Sequence, residues 1–208
     1  MATDADTLLP KILRWAPGAP EPSALTCLID AARDFCDRTR MWRETDEIEI
    51  TTPDGQALTT IEDAEICEIE WAEFEGYELT PQSPDYLDDH FPGWAHGAIE
   101  TGGPKYFTQL LPDTIIIVPP AEGTLRARFV LRPKDGASTL PDFLARRFPT
   151  QLGEGAAARL LMLPGATTAD PDRAVYLEAK FQKFIDINTV KAAKGQQKTR
   201  QRTRGNYL

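Results

Sequence analysis

The stretch Pro22–Glu44, PSALTCLIDAARDFCDRTRMWRE, decides how the 208-residue chain is organised. Its residues Leu25, Leu28, Ile29, Ala32, Phe35, Cys36 and Trp42, with Thr39 among them, recur at the three-four spacing of one helix face. That spacing predicts one continuous helix over 22–44, of about five or six turns. The other face carries Asp30, Arg33, Asp34, Asp37, Arg38, Arg40 and Arg43. Ion pairs three or four residues apart contribute only a few tenths of a kcal/mol each, so burial of the apolar stripe must hold the helix. It needs partner helices, and apart from a short entry helix these come only after a long interruption.

The entry helix is marked by Leu8, Leu9, Ile12, Leu13 and Trp15, which cluster before the breaker APGAPEP. Helical periodicity returns at Leu140. LPDFLARRF starts a helix with Pro141 in its first turn, and GAAARLLMLPG supplies small residues for close packing before Pro164 and Gly165 stop it. Asp170, Pro171 and Asp172 then give a start signal: a capping acceptor, a proline at the first helical position and an acid in the first turn. The last helix carries Ala174, Leu177, Phe181, Phe184 and Ile185 on one face and frays at Gly195.

Between these helices the period changes from 3.6 to 2. EIEITT at Glu47–Thr52, turn residues at Pro53–Gly55 and strand-formers at Leu58–Ile61 predict a hairpin. Ile66–Phe74 alternates so that Cys67, Ile69 and Trp71 form an apolar face, and Glu68 and Glu70 point away onto a wet, acidic side. A turn or two of helix is expected near Pro84–Phe91, followed by a glycine-rich mobile loop. Three further strands are expected at Lys105–Leu110, Asp113–Val118 and Thr124–Arg132. DTIIIVPP suits a central strand covered on both faces. In LRARFVLR, Leu125, Ala127, Phe129 and Leu131 face inward, while Arg126, Arg128 and Arg132 face outward as natural neighbours of the acidic strands. The expected fold class is therefore α+β, a helical bundle with an inserted antiparallel β module of five or six strands and a flexible basic C-terminal tail. The corresponding boundaries are 1–45 and 135–194 for the two halves of the helical body, 46–134 for the β module and 195–208 for the tail.

Hydrophobic content of 41% and charged content of 26% are those of an ordinary globular protein. No apolar run approaches a membrane span, and the start MATDADTLLPK lacks a basic region followed by an apolar one, so the expectation is a chain made in the cytoplasm with no membrane contact. Cys27, Cys36 and Cys67 form no CxxC pair and are expected as buried thiols. The net charge of −9 is unevenly spread. Glu44–Glu100 holds seventeen Asp or Glu and no Lys or Arg, whereas Lys191 to the end holds six Lys or Arg and no acid. Carboxylates in such excess describe a surface potential, not a tuned acid/base pair.

Catalytic signatures are sparse. There is no phosphate loop, GxSxG, HExxH or paired-cysteine zinc motif, and no cofactor is expected. His90 and His96, with Asp88 and Asp89, are the one set with metal-ligand chemistry, in a stretch rich in Pro and Gly that fixes no geometry. Nucleic-acid binding as the main task is disfavoured, because the short basic tail is outweighed by the acidic body. A basic tail on an acidic protein fits docking into another protein's acidic groove, ordering as it binds.

Five segments taken in order, AARDFCDRTRMWRE at Ala31–Glu44, GGPKYFTQLLPDTIIIVPP at Gly102–Pro120, RFVLRPKDGASTLPDFLARRF at Arg128–Phe148, GAAARLLMLPG at Gly155–Gly165 and DPDRAVYLEAKFQKFI at Asp170–Ile185, resemble the head-to-tail adaptor (connector) proteins of tailed bacteriophages. The resemblance covers most of the chain. It implies a non-enzymatic virion protein of the neck: a homo-oligomeric ring, dodecameric by family expectation, docked under the portal protein and joined to a downstream tail or stopper protein. It also implies a C-terminal segment that embraces the portal. On this chain the portal-binding candidates are Lys191, Lys194, Lys198, Arg200, Arg202, Arg204, Tyr207 and Leu208. In such a ring Glu47, Glu49, Glu68 and Glu70 are candidates for a channel wall that lets double-stranded DNA pass without binding it, since carboxylates repel phosphates over a Debye length of ~8–10 Å. The same face is alternatively a contact for a basic neighbour. Two other readings stay open on the residues alone: a small cytosolic metal-dependent enzyme using the His90/His96 region, and an assembly factor that leaves the finished particle.

Overall fold

A computed structural model describes residues 2–51, 62–94 and 102–195, and the backbone of 56–57. The chain divides into two compact units, one formed by residues up to Met41 together with those from Pro133 on, the other by Trp42–Arg132.

In the helical unit a short strand β1 (Ala2–Asp4) pairs antiparallel with β9 (Thr139–Pro141). A 3-10 turn and α1 (Leu9–Leu13) follow, then α2 (Glu21–Thr39). Helix α2 opens with Pro22 in its first turn and buries Leu28, Ile29, Ala32, Phe35 and Cys36, the stripe read from the sequence. It ends five residues before the predicted Glu44. Arg40 takes a left-handed conformation (φ 51°) with its N–H bonded to the Cys36 carbonyl at 2.8 Å. Beyond it the backbone is claimed by a sheet, where the Trp42 carbonyl accepts from Leu131 N–H at 2.9 Å. Trp42 is buried, but as a residue between helix and strand.

The second half of this unit holds α4 (Asp142–Arg147), α5 (Pro149–Leu161) and α6 (Pro171–Ala193). Pro141 belongs to β9 and precedes α4, while Pro149 starts a second helix, because a proline cannot donate into the preceding turn. The small residues of α5 permit close approach: a Cβ on Gly155 would lie 2.8 Å from the Phe181 ring, and one on Gly153 2.7 Å from Lys11. Phe35 stacks on Phe184 (centroids 5.1 Å) and meets Phe148 at 5.4 Å, and Phe148 meets Phe184 edge-on at 5.1 Å. This aromatic cluster joins α2, the α4–α5 junction and α6. The cap of α6 is as predicted, with Asp170 accepting from Arg173 N–H at 3.1 Å.

The β unit contains β2 (Arg43–Ile50), β3 (Gln56–Ala57), β4 (Ala64–Phe74), β5 (Tyr77–Pro81), α3 (Pro84–His90), β6 (Tyr106–Thr108), β7 (Thr114–Val118) and β8 (Gly123–Pro133). Its strands form one curled sheet in the order β2-β8-β4-β5-β6-β7-β3. The sheet is mixed, which corrects the expected antiparallel module: β5 and β6 run parallel, pairing Thr80 with Tyr106 and Pro81 with Phe107. A parallel pair needs a crossover connection, and α3 lies within it. The hairpin predicted from Glu47 to Ile61 is described only in its first strand. Strand β2 pairs along its whole length with β8, Arg43 opposite Val130 through Ile50 opposite Gly123, and β3 pairs with β7. Residues 52–55 and 58–61, where its turn and second strand were expected, lie outside the described residues.

Strand β7 is covered on both faces as predicted. Val118 packs with Leu87 and Trp94 under α3, joined by Ile116, while Ile115 and Ile117 are buried with the opposite parity. In β8, Leu125, Ala127, Phe129 and Leu131 are fully buried. Strand β4 departs from its expected parity, because its buried residues are Ala64, Ile66, Ile69, Ala72 and Phe74. The alternation of burial slips twice, at 67–68 and at 70–71. Cys67 and Trp71 are consequently only half-buried, and Cys67 is not the buried thiol expected, whereas Cys27 and Cys36 are.

Candidate functional site

The two sets of candidate residues lie in different units. Glu47 and Glu49 are exposed on β2, while Glu68 and Glu70 are half-buried on β4. Strand β8 runs between them, with Arg126, Arg128 and Arg132 on its outward side. Glu47 stands opposite Arg126 in the β2–β8 ladder. On β4, Glu70 accepts from Arg43 Nε through both oxygens, at 2.8 and 2.9 Å. Glu65 accepts from Arg132 Nε, Glu73 lies 3.9 Å from Arg126, and Arg128 sits 5.9 Å from the Trp71 ring centroid. The row of carboxylates is thus interleaved with guanidinium groups from the neighbouring strands. Because Arg43, Arg126 and Arg132 lie outside the uninterrupted acidic run, sequence counting misses how much of it is paired; the alternation of β8 carried that signal.

Pairing does not remove the acidic potential. Trp42–Arg132 carries nineteen Asp and Glu against five Lys and Arg, a net of −14, whereas the rest of the chain carries thirteen against eighteen, a net of +5. Four of those cations, Lys198, Arg200, Arg202 and Arg204, lie with Tyr207 and Leu208 outside the described residues. Lys191 is exposed in the last turn of α6, and Lys194 caps the helix before Gly195 turns the chain at φ 63°. Cations at a helix C-terminus complement its partial negative charge.

Around the histidines, His90 closes α3 with Nδ1 2.9 Å from the Tyr86 carbonyl oxygen and its ring stacked on Tyr86 (4.1 Å). Asp88 accepts from Trp94 Nε1 at 2.8 Å. His96 lies outside the described residues. These two candidate ligands already serve the local structure of α3.

Sequence reasoning passed over an apolar surface on the outer side of α6, where Val175, Tyr176, Ile187 and Val190 are exposed. Beside it, Ala158, Arg159 and Met162 of the α5 end and Val175, Glu178 and Ala179 of α6 border an open groove of about 650 Å³. In the sequence these residues fall on the side of the helix opposite the core stripe, interspersed with Asp172, Lys183 and Asp186.

No curated protein matches the chain. A family model described as SU10 adaptor protein matches residues 3–206, nearly the whole length and both units. The chain belongs to the SU10 adaptor protein family, a family of phage head-to-tail adaptors.

Proposed function

We propose that this SU10-family adaptor is a structural, non-enzymatic protein of the virion neck, assembling as a ring under the portal protein and joining the capsid to a tail or stopper protein around a channel for DNA. The observation that carries this reading is the family match across residues 3–206, which spans the helical unit, the β unit and most of the basic C-terminal segment together. The ring is taken as dodecameric, by the family expectation. The segment from Lys191 to Leu208 is the portal contact, led by its alternating cations and ending in Tyr207 and Leu208. Its charge suits an acidic groove, and a segment that orders on docking contributes contact area without enlarging the body.

Two features support a ring whose DNA path is not a binding site. The −14 charge of the β unit disfavours retention of phosphates, and exposed Glu47 and Glu49 keep carboxylates in solvent on β2. The outer side of α6 is apolar where a free monomer would carry polar residues.

The test is the native mass of the portal protein from the same phage mixed with either the full-length chain or a truncation ending at Lys194. The full-length chain is expected to add one copy per portal subunit and the truncation none. Equal addition by both moves docking onto the helical unit. Addition by neither overturns the portal reading.

A further inference from the structure

Strand β2 ends the sheet. It pairs along its whole length with β8, and among the described residues no strand lies on its other side. The register tells which backbone groups are left over. Leu131 N–H donates to the Trp42 carbonyl at 2.9 Å, so these two residues are a hydrogen-bonded pair, and in an antiparallel ladder such pairs recur at every second residue. Glu44, Asp46, Ile48 and Ile50 therefore turn N–H and C=O toward β8, while Arg43, Thr45, Glu47 and Glu49 turn theirs to the open edge. Glu47 N–H is met there by Asp46 Oδ1 at 2.9 Å, a local stand-in for a neighbouring strand. Thr45, Asp46, Glu47 and Glu49 are exposed, which leaves the edge within reach of another chain.

The charge along this edge selects its occupant. Four residues of β2 are acids, Glu44, Asp46, Glu47 and Glu49. The cations beside them are Arg43, held by both oxygens of Glu70, Arg126, opposite Glu47 and 3.9 Å from Glu73, and Arg128, over the Trp71 ring. Six carboxylates against three guanidinium groups leave the edge at a net of −3. Pairing with the β2 edge of a second copy sets acid against acid and is disfavoured. A basic strand fits, and the chain supplies one. Thirteen residues follow Gly195, outside the described residues, and 198–204 reads KTRQRTR. Lys198, Arg200, Arg202 and Arg204 recur at every second position, with Thr199, Gln201 and Thr203 between them. Laid along a sheet edge, such a segment presents its cations on one side and neutral polar groups on the other. Its seven residues would span about 23 Å, against about 26 Å for β2.

We infer that segment 198–204 of one copy adds to the open edge of β2 in a second copy as a further strand, with its cations on the side of Glu47 and Glu49. Main-chain bonds to Arg43, Thr45, Glu47 and Glu49 supply the seat, and the alternating cations supply the selection. Segment and edge are different patches, and each copy offers one of each, so the contact is heterologous. It belongs to copies that have not met the portal. The same segment is the portal contact proposed above, so docking on the portal releases the edge; the inference rests on that reading for this release alone.

The test uses full-length chains and amide exchange resolved by nuclear magnetic resonance. The receiving chain is isotopically labelled and carries Arg200→Glu, Arg202→Glu and Arg204→Glu, which reverse its own segment outside the described residues. Unlabelled wild-type chain is added at the highest soluble concentration. Exchange at the outward amides of Thr45 and Glu49 is expected to slow at least about tenfold, with little change at Asp46 and Ile48, whose amides β8 already holds. Thr45→Pro in the receiving chain removes an outward N–H and no bond to β8, and is expected to abolish the slowing at Glu49 while Asp46 and Ile48 stay protected. No slowing, equal slowing at inward and outward amides, or the same slowing when the added chain also bears the reversed segment would each overturn the inference. The adaptor reading is decided separately by the portal mass measurement: a portal complex that forms with the full-length chain, without slowing in this mixture, retains the adaptor and removes this contact.

Discussion

The helical unit and the β unit both close on an apolar core but differ in how they handle charge. In the former, Phe35, Leu28, Leu152, Leu177 and Phe181 are fully buried, and the buried acid Glu154 is met by Lys180 at 2.6 Å and by Arg14 at 3.6 Å. In the latter, cross-strand pairs such as Arg43–Glu70 and Arg132–Glu65 line the outward side of a sheet whose inner side is apolar. The first unit buries an acid, Glu154, against two cations, while the second sets a large like charge against guanidinium groups from β2 and β8. The difference leaves the β unit with a surface potential that its internal pairing does not cancel, a net of −14 against +5 for the rest of the chain.

Substitutions separate the two modes. Phe35→Ala removes the ring shared by Phe148 and Phe184 and is expected to cost about 3–5 kcal/mol, a large part of a typical domain's stability, measured as the shift in the urea midpoint. Gly123→Ala comes next. At φ 151° a Cβ there would lie 2.6 Å from Glu75 Oε1 and 2.7 Å from Phe74 Cζ, so the β4–β5 turn, which Glu75 ties to Thr124, must move. The expected loss is about 1–3 kcal/mol, with faster amide exchange at Glu75 and Thr124. Glu70→Gln weakens a bidentate but partly solvated pair and is expected to cost no more than about 1 kcal/mol, an effect that shrinks as salt is raised. A loss from Glu70→Gln as large as that from Phe35→Ala, and independent of salt, would erase the distinction between the units.

The smallest effect concerns Cys27. Burial, with Asp30 nearby, pushes its thiol above the ordinary range despite Arg159. The folded state therefore holds this proton more tightly than the unfolded state. Its contribution to stability is fully present below the unfolded thiol's pKa of about 8.5 and fades as pH rises through the folded value. Cys27→Ser is expected to flatten a slight alkaline decline in the urea midpoint. Alkylation at pH 8 is expected to reach half-buried Cys67 before Cys27.

What could be read from the chain follows the same division. Helices α2 and α6 were legible because their signals are local: a three-four stripe in one, and Asp170, Pro171 and Asp172 in the other. The end of α2 was not, since Arg43 and Glu44 continue the helical spacing and only the distant β8 draws them into a ladder. For the same reason the pairing of β2 with β8 was not foreseen, and β5–β6 was given the wrong direction. Strand pairing is a contact between residues far apart in sequence, and the turn signal at Pro53–Gly55 competed with it. The shifted burial of β4 left no mark in a pattern of alternating Ile, Cys and Glu. Of the candidate sites, the acid-rich run was visible as composition and the β8 arginines as its neighbours by their alternation, but the pairing of Arg43 with Glu70 emerged only with the fold. The outer residues of α6, Val175, Tyr176, Ile187 and Val190, were present in the sequence, and needed the structure to show that they are exposed among the described residues.

The central claim is that this chain is a permanent structural part of the particle. Quantitative mass spectrometry of purified, DNA-filled virions, calibrated against labelled peptides from this chain and from the portal protein, tests it most directly. The adaptor account predicts this chain in every preparation at a copy number equal to that of the portal. Its absence from infectious particles that contain the portal would contradict the account and make the protein a factor that leaves before assembly is complete.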